Sequence, residues 1–213
     1  MTNNEIASYI DHTLLKPVAT WEQIVELCDE AIAYKTASVC IPPNYIARVR
    51  QRYPELVIAT VIGFPLGYET RAAKIAETEE ALKDGANEID MVINITDVKN
   101  GDYDAVREEI AALKAVCGSN ILKVIVETCY LTQDEKIRMC KVVTDAGADY
   151  IKTSTGFGTA GASIEDVRLF KANIGADVKI KAAGGIRTKE DMEAYIEEGV
   201  SRIGCSSTKV LFE

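Results

Sequence analysis

Short runs of β-branched residues alternate along this chain with longer stretches whose apolar residues recur every three or four positions. The short runs predict strands and the longer stretches predict helices, so the sequence favours parallel strands joined by crossover helices. Eight strands are predicted, at 9–13, 38–41, 57–62, 88–93, 122–127, 150–154, 178–182 and 202–205. Helices are predicted between them, at 21–34, 43–53, 69–84, 103–115, 134–146, 164–173 and 189–198.

The ends of the predicted helices repeat one pattern. Capping residues stand at several starts, namely Thr20, Asp102, Thr132, Ser163 and Thr188. Three helices end at a glycine just before the next strand: Gly85, Gly147 and Gly199. With no linker between the units, they predict one domain over 1–213, an α/β fold of the (β/α)8 TIM-barrel class. An open doubly wound sheet is the alternative, but no early strand runs into its Gly-x-Gly-x-x-Gly turn.

Composition excludes several classes of function. The chain carries 33 acidic and 24 basic side chains, a formal charge of −9, which opposes binding to nucleic acids and anionic membranes. The longest apolar runs, such as 57–62, are far shorter than the roughly 20 residues that span a bilayer. Because the N-terminus lacks the pattern of a secretory signal, we expect the chain to begin as written and to be cytoplasmic.

The sequence offers few residues for metal binding or redox chemistry. The sequence holds one histidine, His12, and six cysteines without a Cys-x-x-Cys pair. We therefore expect reduced thiols, no metal site and no cofactor. Chemistry is left to the other polar side chains.

Ionisable residues interrupt several of the predicted strands: Asp90, Lys123, Glu127, Lys152, Lys179 and Lys181. Lys152 and Lys181 stand near the ends of the sixth and seventh strands, where parallel strands would bring their ammonium groups close. Like charge and burial both lower the pKa of a lysine, which lets its neutral amine attack a carbonyl and form a Schiff base. Asp90, on the fourth strand, could relay protons. In the alternative reading, the lysines reach solvent from outside the barrel and Asp90 is a buried salt-bridge partner.

A second group of residues follows the last three strands and suits an anion. It comprises Gly156, Gly184, Gly185, Arg187, Gly204, Ser206 and Ser207. Bare backbone N–H groups and hydroxyls at such positions bind phosphate, and TIM barrels often bind it after strands seven and eight. A phosphorylated substrate is therefore predicted, although a Gly-Gly pair can also be only a tight turn.

Six segments together resemble the deoxyribose-phosphate aldolase family, and the resemblance runs from about residue 9 to 207. They are Ile-Asp-His-Thr-Leu-Leu-Lys-Pro at 10–17, Glu-Ile-Asp-Met-Val at 88–92, Leu-Lys-Val-Ile-Val-Glu-Thr at 122–128, Ile-Lys-Thr-Ser-Thr-Gly-Phe at 151–157, Lys-Ala-Ala-Gly-Gly-Ile-Arg at 181–187 and Gly-Cys-Ser-Ser at 204–207. The fourth and fifth are specific when they occur together.

The resemblance implies a class I, metal-free aldolase that reversibly cleaves 2-deoxy-D-ribose 5-phosphate to D-glyceraldehyde 3-phosphate and acetaldehyde. By matching position, Lys152 is the imine-forming nucleophile, Lys181 tunes its pKa, and Asp90 relays protons. The glycines and serines named above match the phosphate loops, while Asp11 and Lys123 match supporting positions. Asp11 could instead cap the barrel floor, and Lys123 could pair with Glu127. A homodimer is also implied.

Three features depart from some relatives or leave a question open. Phe157 occupies the place of a phosphate-contacting lysine, so phosphate binding is expected to depend more on backbone amides and Arg187. The chain stops at Glu213 without a longer tail whose tyrosine assists proton transfer in some relatives, and the eighth helix is expected to be short. Cys40 matches a thiol that aldehydes can modify, or is a small buried residue.

Two other classes of function stay open. One is a different barrel enzyme of phosphorylated sugars, such as a transaldolase-like enzyme or an isomerase. The other is a phosphate-binding barrel without catalysis, in which the lysines act only as counter-charges.

Overall fold

The computed structural model describes residues 1–212, and across them eight parallel strands close into a barrel in which each strand pairs with its neighbours in chain order. The strands are β1 (Ile10–Thr13), β2 (Ser38–Ile41), β3 (Ile58–Ile62), β4 (Glu88–Val92), β5 (Ile121–Ile125), β6 (Tyr150–Lys152), β7 (Lys179–Ala183) and β8 (Arg202–Cys205). The predicted barrel is confirmed. Glu213, the last residue of the predicted domain, lies outside the described residues.

Helices connect the strands and surround the barrel. They are α1 (Asn3–Ala7), α2 (Trp21–Tyr34), α3 (Ile46–Arg52), α4 (Arg71–Lys83), α5 (Ile95–Lys99), α6 (Tyr103–Cys117), α7 (Gln133–Asp145), α8 (Ile164–Asn173) and α9 (Lys189–Glu198). The helix predicted at 43–53 is a 3₁₀ turn followed by α3. Between β8 and residue 212 the chain forms only a 3₁₀ turn, Thr208–Leu211, in agreement with the short eighth helix expected.

The helix starts are set by local sequence. All five predicted capping side chains accept a hydrogen bond from a backbone N–H in the first turn of their helix, and those of α2, α7 and α9 form full capping boxes. Gly199 ends α9 in the left-handed region, with φ +102°, which a residue with a Cβ rarely adopts. These signals set the starts of five helices and the end of α9.

The main apolar core lies between the strands and the helices. Strand residues that face outward, such as Ile10, Val39, Ile89 and Val124, are fully buried against it. The alternate strand residues face the barrel axis, and many of these are charged. A barrel interior is usually filled by branched apolar side chains. The charged residues inside this barrel therefore indicate that the functional site lies there. Among residues 1–212, every helix falls short of the length and apolar character that a membrane span requires.

Candidate active site

Three side chains predicted from the sequence meet inside the barrel. Nζ of Lys152, on β6, and Nζ of Lys181, on β7, each lie 2.7 Å from Oδ2 of Asp90, on β4. The strand register places the two lysines side by side. All three side chains are 96% or more buried. The structure therefore brings the predicted nucleophile, second lysine and carboxylate into direct contact.

A second set of charges lies next to these three and holds them in place. Lys123, the neighbour of Asp90 on β5, donates to Oδ1 of Asp90 over 2.7 Å and lies 2.6 Å from Glu88. Asp11, on β1, accepts from Lys181 and from Arg202. Arg202 also binds Glu88. Both supporting residues of the sequence analysis, Asp11 and Lys123, therefore belong to the interior network.

The interior network, defined by these seven side chains, holds four cationic groups and three carboxylates. In a buried site an uncompensated charge is expensive, so the network is most stable when one cation gives up its proton. Lys152 is the one that does so most easily. Burial, reinforced by the charge of Lys181 and opposed by Asp90, lowers the pKa of Lys152 below its ordinary value.

Lys181, Lys123 and Asp90 keep their charges. Burial also opposes the charge of Lys181, but Asp11 and Asp90 outweigh it and raise the pKa of that lysine. The pKa of Lys123 is raised in the same way. Burial would raise the pKa of Asp90, yet its three lysine partners hold it well below the usual range. At neutral pH the site therefore presents a carboxylate, a charged Lys181 and a lysine poised to become an amine.

The loops that follow β6 and β7 lie together beyond the lysines. Gly156, Gly184 and Gly185 have φ between +82° and +86°, which suits residues without a side chain. The N–H of Ala162 donates to the carbonyls of Ala183 and Gly184, so the two loops are joined. Gly185 is exposed, as are Arg187 and Ser206, while Ser207 is half-buried. These residues can surround an anion, as the sequence predicts.

Gly204 lies within β8, inside the strand predicted at 202–205, and a Cβ on it would stand 3.3 Å from Cε of Lys181 and 2.9 Å from Cβ of Ala183. Its missing side chain makes room for Lys181. The assignment of Gly204 to phosphate binding stays a prediction.

Glu127 is placed differently from one alternative. It adopts a left-handed conformation, φ +53°, just after β5. Lys123 binds Asp90 and Glu88 instead, so the alternative pairing of Lys123 with Glu127 is wrong.

The buried carboxylate of Glu127 accepts from both the N–H and the hydroxyl of Thr155. Burial raises the pKa of Glu127. Such a strained, buried residue holds the loop that follows Lys152.

Sequence reasoning missed Glu88 and Arg202. Strand alternation was the available signal, because Glu88 lies two residues before Asp90, and Arg202 lies two residues before Gly204. Ser38, which donates to Asp11 over 2.8 Å, was also missed.

Apolar side chains cover part of the barrel mouth. Cys40, Ala59 and Val61 form a small buried cluster inside the barrel, against which Phe64 packs. The ring of Phe157, from the loop after β6, meets Phe64 edge-on, with centroids 5.3 Å apart. Since β3 and β6 are not neighbours, this contact reaches over the mouth. Burial raises the pKa of the Cys40 thiol, which keeps it in its unreactive form.

No group of three or more His, Cys, Asp or Glu side chains within residues 1–212 is arranged to hold a metal ion. What the site does hold is a buried lysine of lowered pKa, beside a second lysine and a carboxylate, inside a closed (β/α)8 barrel. These features define the class of enzyme that works through a covalent lysine intermediate.

Comparison with known proteins narrows this class. The family model described as DeoC/LacD family aldolase matches residues 6–207, and the chain belongs to that family. A deoxyribose-phosphate aldolase of Clostridium botulinum (strain Alaska E43 / Type E3) is 64% identical over 97% of this chain and 94% of its own. One of Clostridioides difficile (strain 630) is 53% identical over 95% and 93%.

Solved structures of similar proteins support the same family assignment. A putative deoxyribose-phosphate aldolase from Coccidioides immitis superposes with a TM-score of 0.95 at 40% identity, covering 100% of this chain and 86% of that one. Deoxyribose phosphate aldolase from Aeropyrum pernix, described as a unique tetramer, gives a TM-score of 0.90 at 30% identity, covering 99% and 91%. The recognition of the family from the sequence is confirmed.

Proposed function

We propose that this chain is a class I deoxyribose-phosphate aldolase, which reversibly cleaves 2-deoxy-D-ribose 5-phosphate to D-glyceraldehyde 3-phosphate and acetaldehyde. The observation that carries the proposal is the position of Lys152, whose lowered pKa and shared contact with Asp90 and Lys181 suit imine formation. An isomerase of similar fold would have no use for such a nucleophile.

The reaction begins on Lys152. Its neutral amine adds to the C1 aldehyde of the open-chain sugar, and loss of water gives a protonated imine. The proton of the C3 hydroxyl then leaves, through water, to Asp90, and the C2–C3 bond breaks. Its electron pair moves into the imine, which becomes an enamine, and D-glyceraldehyde 3-phosphate departs.

The second half of the reaction returns the enzyme to its starting state. The enamine takes a proton at C2, and hydrolysis of the resulting imine releases acetaldehyde and Lys152. Asp90 relays these protons with the assistance of Lys181, because Asp90 contacts both Lys181 and the nucleophile. Asp11, Glu88, Lys123 and Arg202 hold the relay in place.

Phosphate binding falls to the joined loops after β6 and β7 and to the segment after β8. The backbone N–H groups of Gly156, Gly184 and Gly185, the hydroxyls of Ser206 and Ser207, and the exposed guanidinium of Arg187 supply donors. This assignment is part of the proposal, and it makes the phosphorylated sugar the preferred substrate.

The test is a covalent trap. The protein is incubated with acetaldehyde and sodium borohydride, and its intact mass is measured before peptide mapping. An ethyl-sized increment on Lys152 is expected, since borohydride reduces the imine to a secondary amine, and Lys152→Ala gives no adduct there. Turnover of 2-deoxyribose 5-phosphate is then assayed directly. Folded protein that yields no adduct would exclude the imine mechanism and favour an isomerase or a phosphate-binding barrel.

Assembly and location are also proposed. We infer a homodimer in the cytoplasm, in line with the sequence analysis, with small-molecule partners only. Light scattering coupled to size exclusion measures the mass of the assembly, and a tetramer, as described for the Aeropyrum pernix protein, would contradict the dimer.

A further inference from the structure

One buried hydroxyl near the nucleophile has no use in the proposed mechanism as written. Ser154 is fully buried, and its Oγ has no hydrogen-bond partner. Burying a hydroxyl without a partner costs free energy, so native proteins seldom keep one without a purpose. Its neighbours are both satisfied: the hydroxyl of Thr153 binds the backbone of Ala183, and that of Thr155 binds Glu127.

The position of Ser154 relates it to the substrate's path. β6 ends at Lys152, but the backbone of Thr153 still bonds to Lys181 on one side and to Thr128 on the other, so the chain continues in the direction of the strand. An extended chain places side chains two apart on the same side, which puts Ser154 about 7 Å beyond Lys152, toward the mouth. Its Cβ lies 3.5 Å from the point where a Cβ of Gly184 would stand. Ser154 therefore stands between the nucleophile and the proposed phosphate loop.

A phosphorylated sugar bound at both ends must pass this position. Its C1 is joined to Nζ of Lys152, and its phosphate lies at Gly184 and Gly185. Between these ends the open chain carries hydroxyls at C3 and C4, which both donate and accept hydrogen bonds. We propose that Ser154 is a catalytic residue whose hydroxyl binds one of these two chain hydroxyls and thereby orients the C2–C3 bond. The inference rests on the proposed function and adds a substrate contact to it.

The experiment compares Ser154→Ala with Thr153→Val, a matched control that removes a hydroxyl already satisfied within the protein. Ser154→Ala is expected to keep or raise the thermal midpoint, because no hydrogen bond is lost, and to lower kcat/KM for 2-deoxyribose 5-phosphate about tenfold, the size of one ordinary hydrogen bond. Thr153→Val is expected to lower the midpoint. Ser154→Cys, which keeps the shape of the side chain with a slightly larger atom but is a weak donor, should resemble the alanine variant.

Two further substrates distinguish contact from structure. Unphosphorylated 2-deoxyribose keeps the chain hydroxyls, so Ser154→Ala should lose the same factor with it. Acetaldehyde lacks them, so borohydride trapping on Lys152 should proceed at the wild-type rate. Equal cleavage by Ser154→Ala and the wild type would overturn the inference, as would a slower trapping of acetaldehyde or a loss confined to the phosphorylated sugar. If the wild-type protein cleaves neither sugar, the proposed function fails instead.

Discussion

Lys152 and Lys181 donate hydrogen bonds to the same oxygen atom, Oδ2 of Asp90, each over 2.7 Å. The two ammonium groups would repel one another, yet their neighbours treat them differently. Lys181 has a second carboxylate, Asp11, on its other side, whereas Lys152 has Asp90 alone. The pKa of Lys181 is therefore raised and that of Lys152 lowered. Although the two lysines share one carboxylate, Lys181 therefore stays charged, whereas Lys152 loses its proton more easily and can act as the nucleophile.

Lys181→Leu should raise the pKa of Lys152, because it removes a positive charge that disfavours the protonated amine. Imine formation needs the neutral amine, so the acid limb of the pH profile for borohydride trapping should move to higher pH. Cleavage at pH 7 should fall about 100-fold, since the proton relay is lost as well. Lys179→Leu, an exposed lysine on the same strand, is the control and should change neither. An unmoved profile in Lys181→Leu would mean that its charge does not tune the nucleophile.

Asp90→Asn should shift the same profile in the opposite direction. The carboxylate of Asp90 raises the pKa of Lys152, so its loss should make the amine neutral at lower pH. Trapping with acetaldehyde should persist, while cleavage should slow by about 100- to 10,000-fold because the relay is interrupted. Asp104→Asn, an exposed carboxylate on α6, serves as the reference. If Asp90→Asn folds but cannot be trapped, Asp90 acts in imine formation rather than in bond cleavage.

The barrel could be predicted because its signals are local. The strands show as β-branched runs, since their outer faces are buried under helices, and the caps at Thr20, Thr132 and Thr188 fix the helix starts. Two helices escaped prediction, α1 and α5, because five residues are too few to show helical periodicity. The predicted β6 was two residues too long at its end, because Thr153 and Ser154 follow the last paired residue without a glycine or proline to mark the end of the strand.

The site could be predicted only in part, and for a physical reason. Lys152, Lys181 and Asp90 stand out because a charge in an apolar strand demands an explanation. Which charge pairs with which depends on strands far apart in sequence, so Lys123 was given Glu127 as one partner although it binds Asp90 and Glu88. The close approach of Lys181 to Gly204 could not be predicted from the sequence, because it depends on the neighbouring strand.

Gly204→Ala should impair catalysis by displacing Lys181. The added Cβ would stand 3.3 Å from Cε of Lys181 and 2.9 Å from Ala183, so something in the strand pair must shift. We expect a loss of about 1–3 kcal/mol in the free energy of unfolding and a lower kcat, with KM for the phosphorylated sugar little changed. Gly118→Ala is the control: its added Cβ would meet no neighbour, but the φ of +56° is strained for alanine. This variant should lower the stability without changing kcat. A rise in KM without a fall in kcat would instead favour the predicted role of Gly204 in phosphate binding.

Phe157→Lys should strengthen the preference for phosphate. Phe157 is half-exposed and belongs to the loop between Gly156 and Gly158, so a lysine there adds a cation beside the proposed anion site. An exposed ion pair is worth about 0.2–1 kcal/mol, so the ratio of kcat/KM for phosphorylated over unphosphorylated 2-deoxyribose should rise roughly two- to fivefold. The gain should shrink as salt is added, because salt screens exposed charges.

The Phe157→Met control separates charge from the loss of the ring. Both variants remove the edge-on contact with Phe64, so any change that they share reports on the apolar cover over the barrel mouth. Only the lysine variant should change the substrate ratio. If the two variants give the same ratio at low salt, the phosphate does not come within reach of position 157, and the backbone amides of Gly184 and Gly185 and the guanidinium of Arg187 bind it without help from this side of the mouth.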